Sequence, residues 1–593
     1  MNFIKPVKPF PDQSYVCLDI ETAGLDPKND RIYLIGLKSK KSSNCITDPD
    51  EAVMIKKLFA VIDAITKTHS IMLIGHNIMV FDLPFIMMRA MKHKIPCPFK
   101  YRTIRGTRLD RVFCAGGYRT IYYTDIEAKN IDIIDTLFLT MLWDAQNAEL
   151  SDHTLKTAAV ELGCRAERRL ELDHYQIKNY WASNDLEKLK EYLQYDLEDT
   201  EFLYNRLMPP YYYMQSVVPV KPQEMVLKST AKKLEKILQA YYKEKSVEKF
   251  WKPPEADPVQ KYQGAMTGAR PGLYRHVHKI DVSSLYPSII LQYGIRSHKD
   301  TDAVMPRVLK FLMEERLRYK SLGKTDRTAK EMSEAYKILI NSFYGHLGSN
   351  NPYNDMTAAA KVTAYGRKIL KLMLEELEKR HERAISWDTD GVIFEADDGV
   401  ATCKAVQAVL PRGINIDLEF TADWCYVNAP KNYIVYYNDE KIKYKGVYKK
   451  RNLLPLLKEY TRELCKAWMI SEDAAEQYHQ KICNTIIDGQ MNIDLLACKR
   501  KIAKSEKETL KYGVPGDVIR VYIGVGSCGK SVKVIEGPYH AMYYLKMIKD
   551  MYDEIVRNIA DGQGTQIPIA KLFQDAETDP VDVQTIMQSL EAA

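Results

Sequence analysis

Residues 281–288 (DVSSLYPS) constrain this chain more than any other stretch, because an acidic residue ends a strand-like run and a turn with Tyr286 follows. Two further stretches come after it in order. Residues 337–345 (KILINSFYG) have helical spacing, and residues 387–390 (WDTD) place two acids on either side of one threonine. Acids carried by separate segments are the ligands that two-metal phosphoryl transfer requires. The sequence therefore predicts a fold that brings distant carboxylates to one site.

The bulk composition excludes several classes of protein. At 593 residues the chain is too long for one hydrophobic core, and its 27% charged and 46% hydrophobic residues are ordinary for a soluble multidomain protein. The 11 cysteines include no Cys-x-x-Cys pair, so neither a zinc ribbon nor an iron–sulfur cluster is indicated. No apolar run reaches the roughly 18 residues of a membrane span, and no signal core opens the chain. We expect a cytoplasmic protein that is neither secreted nor membrane-spanning.

The first 210 residues carry a second set of acids. In residues 15–22 the alternation of a strand places Asp19 and Glu21 on one face, where they repel each other unless a cation neutralises them. Asn77 and Asp82 follow the apolar run 71–74. A helix over 191–200 adds a further acid that shares a face with a tyrosine four residues before it. This pattern predicts a metal site distinct from that of the later motifs.

The helix leaves two registers open, because Tyr195/Asp199 and Tyr192/Asp196 have the same spacing. We favour Tyr195/Asp199, the pair that stands in the run Tyr-Asp-Leu-Glu-Asp-Thr. Alanine substitution of the two aspartates would separate the registers.

Between the later motifs the sequence predicts a helical hairpin. Lys337, Asn341 and Tyr344 fall on one stripe of a helix, and Arg316 and Lys320 share a face of the preceding one. Residues 321–326 (SLGKTD) supply turn and N-cap chemistry between the two helices. Cations on such a hairpin suit a triphosphate.

Residues 281–288, 337–345 and 387–390 together resemble motifs A, B and C of family B DNA polymerases. The earlier Asp-x-Glu, Asn…Phe-Asp and Tyr-x-x-x-Asp elements are similar to 3′→5′ exonucleases of the DEDDy group. The resemblance implies an α+β multidomain fold with an RNase H-like α/β exonuclease domain and a right-hand polymerase that has an antiparallel-sheet palm, helical fingers and a mainly helical thumb. The implied boundaries are 1–210 for the exonuclease domain, 211–305 for a linker and the first part of the palm, 306–348 for the fingers, 349–438 for the second part of the palm, and 439–593 for the thumb and a C-terminal appendage.

The resemblance also implies roles for individual residues. Two Mg²⁺ ions per site, which Mn²⁺ could replace, would be held by Asp281 and Asp390 in the polymerase and by Asp19, Glu21, Asp82 and Asp199 in the exonuclease. Asp388 would support the first site, and Tyr195 would orient the attacking water at the second. The implied dNTP-binding residues are Tyr286 (a steric gate against the 2′-hydroxyl), Arg316, Lys320, Lys337, Asn341 and Tyr344. The implied DNA-binding residues are Asn77, Tyr262 and Gly264 of a Tyr-x-Gly-Ala element, and Lys431 and Tyr433 of a Lys-x-Tyr element.

The sequence departs from the family pattern at motif C, where Trp387 replaces a small residue and Gly391 replaces a serine. Both acids are present, so we expect activity with altered contacts to the primer end. The strand carrying Asp19 starts near the beginning of the chain, so the N-terminal domain of many family members is expected to be absent, and the short intervals between motifs favour a conventional primer.

The implied function is template-directed DNA synthesis from a primer 3′ end, with 3′→5′ proofreading. Expected partners are primer–template DNA, dNTPs and replication accessory proteins, with the protein acting as a monomer. Residues 440–533, with 19 basic against 11 acidic residues, suit a polyanionic partner. Three alternatives stay open: a primer-independent polymerase of the same family, a DEDDy nuclease with an inactive polymerase half, and a DNA-binding scaffold.

Overall fold

The computed structural model describes residues 15–104, 107–108, 110–115, 119–147, 149–165, 172, 174–246, 251–437, 441–449, 453–501, 518–525 and 531–562. Its elements up to residue 246 are β1 Tyr15–Thr22, β2 Ile32–Lys38, β3 Ser43–Ile46, α1 Glu51–Thr66, β4 Ile71–Gly75, α2 Asp82–Lys92, β5 Lys100–Tyr101, β6 Thr103–Ile104, β7 Thr107–Arg108, β8 Asp110–Ala115, β9 Arg119–Thr124, β10 Ile126–Glu127, β11 Ile131–Asp135, α3 Thr136–Asn147, α4 Leu155–Glu161, α5 His174–Ala182, α6 Leu186–Leu207, α7 Pro209–Met214, α8 Pro222–Leu227 and α9 Thr230–Lys245.

The elements after residue 246 are β12 Thr267–Ala269, β13 Gly272–Val282, α10 Leu285–Gln292, α11 Val304–Leu322, α12 Arg327–Ile340, α13 Ser342–Leu347, α14 Met356–Lys379, β14 Arg383–Asp388, β15 Gly391–Glu395, α15 Gly399–Val409, β16 Ile416–Ala429, β17 Asn432–Tyr436, β18 Ile442–Tyr444, a 3₁₀ helix Gly446–Lys449, α16 Pro455–Ile470, α17 Glu472–Ile487, α18 Ile493–Leu496, β19 Cys498–Lys501, β20 Val518–Val525, β21 Ser531–Val534 and α19 Ala541–Gly562.

By its internal contacts the described chain divides into two compact units. The first contains the residues up to Pro258 together with Ser297–Asn354, and the second contains Val259–Arg296 and the residues from Asp355 onward.

The first unit contains a five-stranded mixed sheet in the order β11-β4-β1-β2-β3. Strand β1 is antiparallel to β2 and parallel to β4, which is in turn parallel to β11. Helix α6 packs on this sheet, because its buried residues Leu189, Leu193 and Leu197 recur at helical spacing and cover the strands. This mixed sheet with a packed helix confirms the predicted RNase H-like α/β arrangement.

Helices α11 and α12 form the predicted helical hairpin, also in the first unit. Asp326 caps α12 by accepting a hydrogen bond from the backbone N of Thr328 at 2.8 Å, as its sequence position indicated. The turn requires Gly323, because a Cβ there would lie 2.9 Å from the Cα of Lys330. Helix α12 packs on α7, and α13 packs on α9.

The second unit is built on a seven-stranded antiparallel sheet in the order β12-β14-β15-β13-β16-β17-β18. The long strand β13 lies between β15 and β16, so the residues at its end are flanked on both sides. Helices α10 and α14 pack on each other, and α14 also packs on β14 and β15. The sheet confirms the antiparallel architecture expected of a polymerase palm.

The rest of the second unit is mainly helical, as predicted. Helices α16, α17 and α19 share a buried core that includes Tyr460, Leu464, Ile548 and Ile555. A three-stranded sheet, β19-β20-β21, lies in the same part of the chain. Residues 563–593, at the end of the predicted C-terminal appendage, lie outside the described residues. In the described part of the chain no helix combines the length and apolarity that a membrane crossing needs.

Candidate active sites

Three acids come together in the first unit. Asp19 and Glu21 lie on β1 and Asp196 lies on α6, and one carboxylate oxygen from each falls within 4.8 Å of the others. Glu21 and Asp196 are each only 7% exposed. Buried carboxylates at this separation repel one another strongly, so the cluster is suited to a divalent cation.

Asp82 adds a fourth acid beside this cluster. It is the first residue of α2, and its Oδ1 accepts a hydrogen bond at 3.2 Å from the backbone N of Ile20, the residue between Asp19 and Glu21. Burial, together with the charges of Asp135 and Asp196, raises the pKa of Asp82 to about 8. A bound cation would favour the ionised form of this carboxyl.

Asp135 fixes the loop that leads to Asp82, a role that was not predicted from the sequence. It ends β11, and its carboxylate accepts hydrogen bonds from the backbone N of Asn77 (2.8 Å) and of Met79 (3.1 Å). These bonds hold Asn77 in a left-handed conformation, φ 70°. The acid that follows the strand-like run 131–134 (IDII) was the available signal, since strand ends commonly carry site residues.

The preferred register of the exonuclease helix, Tyr195/Asp199, is wrong. Asp199 is 1% exposed, and it accepts a hydrogen bond at 2.7 Å from Nη2 of Arg165 instead of joining the acids of β1. The Arg165 guanidinium also lies over the ring of Tyr195, 4.9 Å from its centroid. These residues form an ion-paired cluster on another face of α6.

The alternative register, Tyr192/Asp196, agrees with the geometry. Asp196 is the member of α6 that meets Asp19 and Glu21, and Tyr192 precedes it by one helical turn. Tyr192 is 8% exposed, and the Nζ of Lys156 lies 4.8 Å from its ring centroid.

In the second unit the sheet brings together the two acids predicted for synthesis. Asp281, near the end of β13, pairs across the strands with Gly391 of β15, the neighbour of Asp390. Asp388 and Asp390 lie at the tip of the β14–β15 hairpin, where Thr389 takes the left-handed conformation, φ 53°. Residues more than 100 positions apart in the sequence therefore meet at one sheet end.

The electrostatics of this sheet end indicate a cation site. Burial and the charge of Asp281 raise the pKa of Asp390 to about 6. Burial also raises the pKa of Asp281, although Lys279 opposes the shift. Carboxylate oxygens are the donors that Mg²⁺ prefers, so both acid clusters fit the implied metal.

Lysines contact two of these acids. Nζ of Lys431, from the Lys-x-Tyr element, lies 3.0 Å from Oδ1 of Asp388, and Lys431 has φ 64°. Nζ of Lys279 lies 3.2 Å from Oδ1 of Asp281 and also contacts the carboxylate of Glu419 on β16. Alternation along β13 puts the side chains of Lys279 and Asp281 on one face, so their proximity could have been predicted from the sequence.

Tyr286 stands close to the same acids. Burial, followed by the charge of Asp390, raises its pKa to about 12. Its ring packs against α14 at Gly366, where an added Cβ would lie 3.0 Å from Cε1 of the ring. The Tyr-x-Gly-Ala element is anchored to the same helix, because Nη1 of Arg367 donates to the carbonyl oxygen of Gly264 at 2.8 Å.

The predicted nucleotide-binding cations belong to the first unit. Lys320 on α11 and Lys337 on α12 are exposed, and Arg316 is half-buried. Lys337, Asn341 and Tyr344 were expected on one helix. In the structure α12 ends at Ile340, and Asn341 is the cap residue between α12 and α13. The backbone of Asn341 stays helical, φ −66° and ψ −12°, so the exposed face continues.

Comparisons with known proteins match two regions of the chain. A model of the RNase_H superfamily matches residues 16–208, and a model of DNA polymerase family B matches residues 292–504. A DNA polymerase of Archaeoglobus fulgidus is 22% identical over 99% of this chain and 78% of its own length. DNA polymerase 2 of Aeropyrum pernix is 21% identical over 70% of this chain, which spans 54% of that relative.

Among solved structures, the family B DNA polymerase from the hyperthermophilic archaeon Pyrobaculum calidifontis has a similar fold. The TM-score is 0.55 at 19% identity, and the match covers 94% of this chain and 79% of that one. The chain therefore combines an exonuclease-like region that matches the RNase_H superfamily with a later region that matches DNA polymerase family B, and it is similar along most of its length to proteins named DNA polymerase.

Proposed function

We propose that this protein synthesises DNA on a template by extending a primer 3′ end, and that its exonuclease-like domain proofreads in the 3′→5′ direction. The observation that carries the proposal is the pairing of Asp281 with Gly391, which puts Asp281 beside Asp390 at one sheet end. The acid cluster of Asp19, Glu21 and Asp196, in the other unit, supports the second activity.

Each site would use two Mg²⁺ ions, with Mn²⁺ as a substitute. When bound, these ions neutralise charge on the reacting phosphate and make the attacking oxygen more nucleophilic. The proposed ligands are Asp281 and Asp390, with Asp388 in support, for synthesis, and Asp19, Glu21, Asp82 and Asp196 for hydrolysis. Tyr192, one turn before Asp196, is proposed to position the attacking water.

The incoming nucleotide would be held by cations of the α11–α12 hairpin. Arg316, Lys320 and Lys337 are proposed to bind its phosphates, because guanidinium and ammonium groups stabilise the negative charge of a transferring phosphoryl group. Asn341 and Tyr344, which follow Lys337 in the chain, are proposed to contact the incoming nucleotide near the nascent base pair. Tyr286 is proposed to exclude a 2′-hydroxyl, a role that its close packing on Gly366 supports.

The DNA would be held by residues around both sites. Lys431 and Tyr433 are proposed to contact the primer strand, since Lys431 already reaches Asp388 of the catalytic hairpin. Tyr262 and Gly264 are proposed to help transfer the primer end between the two activities, and Asn77 to contact the strand that is cleaved. Phosphate contacts of this kind position a duplex without reading its sequence.

The proposed division of labour follows the predicted boundaries. Residues 1–210 would proofread, 306–348 would act as fingers, 211–305 and 349–438 would form the palm, and 439–593 would include the thumb. We further propose that the protein acts as a monomer in the cytoplasm on primer–template DNA and dNTPs, with replication accessory proteins as additional partners.

Primer extension and exonuclease assays on two variants test the proposal. Asp390→Ala should abolish dNTP incorporation and spare degradation of a 3′-labelled single strand, and Asp19→Ala should do the reverse. One substitution that abolished both activities would contradict two separate sites. Degradation with no incorporation by the unmodified protein would favour a nuclease, and DNA binding with neither activity would favour a scaffold. Synthesis on a circular single strand without any oligonucleotide would overturn the primer requirement.

A further inference from the structure

The position of Lys279 is unusual for a site that is expected to bind divalent cations. It lies on β13 two residues before Asp281, its side chain is 19% exposed, and its Nζ is 3.2 Å from Oδ1 of Asp281. An ammonium group at this distance donates a charge-assisted hydrogen bond to an oxygen that a metal ion would otherwise use.

Glu419 provides a second anion for the same ammonium group. In the pairing of β13 with β16, Lys279 is opposite Phe420 and Ile280 is opposite Leu418, which leaves Glu419 as the extra residue of a bulge. Bulges redirect a side chain, and here the Glu419 carboxylate contacts Nζ of Lys279. Lys279 thus lies between a proposed metal ligand and a second acid.

Lys443 contacts Glu419 at its other oxygen, with Nζ 2.9 Å from Oε1. Although burial raises the pKa of Glu419, hydrogen bonds from Lys279 and Lys443 lower it to about 2. The carboxylate is therefore ionised throughout the physiological range and always available to the ammonium group of Lys279.

We propose that Lys279 is a resident cation that competes with divalent metal for Asp281, and that Glu419 sets the strength of this competition by drawing the ammonium group away. The inference rests on the proposed function, because it concerns the metal affinity of the proposed synthesis site. Binding of a divalent ion at Asp281 requires Lys279 to give up its contact with Oδ1, and Glu419 is already in place to receive it. Lys279 and Glu419 are thus positioning residues whose effects on metal affinity have opposite signs.

Mn²⁺ titration followed by electron paramagnetic resonance measures this affinity without any reaction. The full chain is used with Asp19→Ala and Glu21→Ala, so that the exonuclease cluster is removed. In that background Lys279→Met should bind Mn²⁺ about tenfold more tightly, and Glu419→Gln about tenfold more weakly, because Lys279 then has only Asp281 as its anion. Lys279→Gln should reproduce the tightening if the methionine variant folds poorly.

Lys443→Met is the matched control, since it removes the same charge from the same group of side chains but leaves Lys279 in place. We expect its Mn²⁺ affinity to stay within about twofold of the parent. Equal tightening by Lys443→Met and Lys279→Met would overturn the proposal in favour of a general charge effect.

The double variant Lys279→Met/Glu419→Gln separates competition from direct ligation. It should bind Mn²⁺ within about threefold of Lys279→Met alone, because Glu419 acts mainly through Lys279 and otherwise only through its charge near Asp281. A loss of about tenfold or more on adding Glu419→Gln would mean that Glu419 contacts the metal itself, which overturns the proposal. Asp390→Asn in the same background tests the proposed function separately. If it leaves Mn²⁺ binding unchanged, the site itself is misassigned, whereas unchanged affinity in the Lys279 variants alone defeats only the competition.

Discussion

The backbone N–H of Val282 donates a hydrogen bond to the carbonyl oxygen of Asp390, with an N–O distance of 2.7 Å. The residue that follows one proposed metal ligand is therefore bonded to the other through the main chain. Together with the pairing of Asp281 and Gly391, this bond makes the two acids part of one rigid sheet end. Rigid support of this kind is what a site needs to hold two carboxylates against their mutual repulsion.

The arrangement of Asp281 and Asp390 is sensitive to any side chain added at Gly391. A Cβ at this position would lie 2.4 Å from Oδ1 of Asp281 and 3.0 Å from Cε of Lys279, so a side chain must displace the carboxylate. We predict that Gly391→Ala lowers the rate of primer extension by about tenfold or more, because displaced ligands lose transition-state stabilisation. Exonuclease activity of the same protein is the internal control and should stay unchanged. Full extension activity in Gly391→Ala would show that Asp281 can move without consequence.

The two aspartates of α6 should have different functions. Asp196→Ala removes an acid of the cluster and is expected to reduce exonuclease activity by roughly 10³-fold with little change in stability. Asp199→Asn breaks the buried pair with Arg165 and should instead cost about 1–3 kcal/mol of unfolding free energy while exonuclease activity persists. Urea unfolding and degradation of a 3′-labelled strand measure the two effects. Inactivation by Asp199→Asn alone would restore the register that we rejected.

The sequence predicted which segments form the exonuclease site, but it did not determine which face of α6 is turned toward β1. Alternation in β1 predicts that Asp19 and Glu21 share a face, and the structure confirms it. The spacing in α6 fits two registers that differ by only about 60° of rotation. Packing decides between them: Leu193 and Leu197 press on Gly36 of β2, where an added Cβ would lie within 3.0 Å of both side chains. Contacts between an α-helix and a distant strand cannot be read from periodicity alone.

The surroundings of motif C also could not be predicted from the local sequence pattern. Trp387 departs from the family pattern, and the structure supplies the reason it fits: Gly268 of β12 lies opposite it, with room for the indole only because no Cβ is present. The contact of Lys279 with Glu419 likewise depends on a bulge in β16, a feature of strand pairing. The local sequence pattern therefore predicted which acids form the site. The residues that surround those acids are set by the register between paired strands, which the local pattern does not determine.

The sugar specificity of the proposed nucleotide site should depend on the ring of Tyr286. The ring packs so closely on Gly366 of α14 that it cannot shift toward this helix, and its position is therefore fixed. We predict that Tyr286→Val lowers discrimination between dNTPs and rNTPs by at least about tenfold, whereas Tyr286→Phe, which keeps the ring, preserves it. Single-nucleotide incorporation with each substrate gives the ratio of kcat/KM values. Equal loss in both variants would assign the effect to the hydroxyl group instead of the ring.

Asp390 should make the stability of the metal-free protein depend on pH. Its pKa of about 6 lies above the ordinary value of 3.8, so the folded chain binds this proton more tightly than the unfolded chain does. The resulting stabilisation is fully present below about pH 4 and is lost as the pH rises through 6. Asp390→Asn cannot lose it, so with no divalent metal this variant should melt a few degrees above the unmodified protein at pH 8, and at the same temperature below about pH 4. Added Mg²⁺ should then stabilise the unmodified protein more than the variant at pH 8, because only the former retains both carboxylates. A melting temperature for Asp390→Asn that fell below that of the unmodified protein at pH 8 would mean that the ionised carboxylate stabilises the fold, contrary to the repulsion that the paired acids imply.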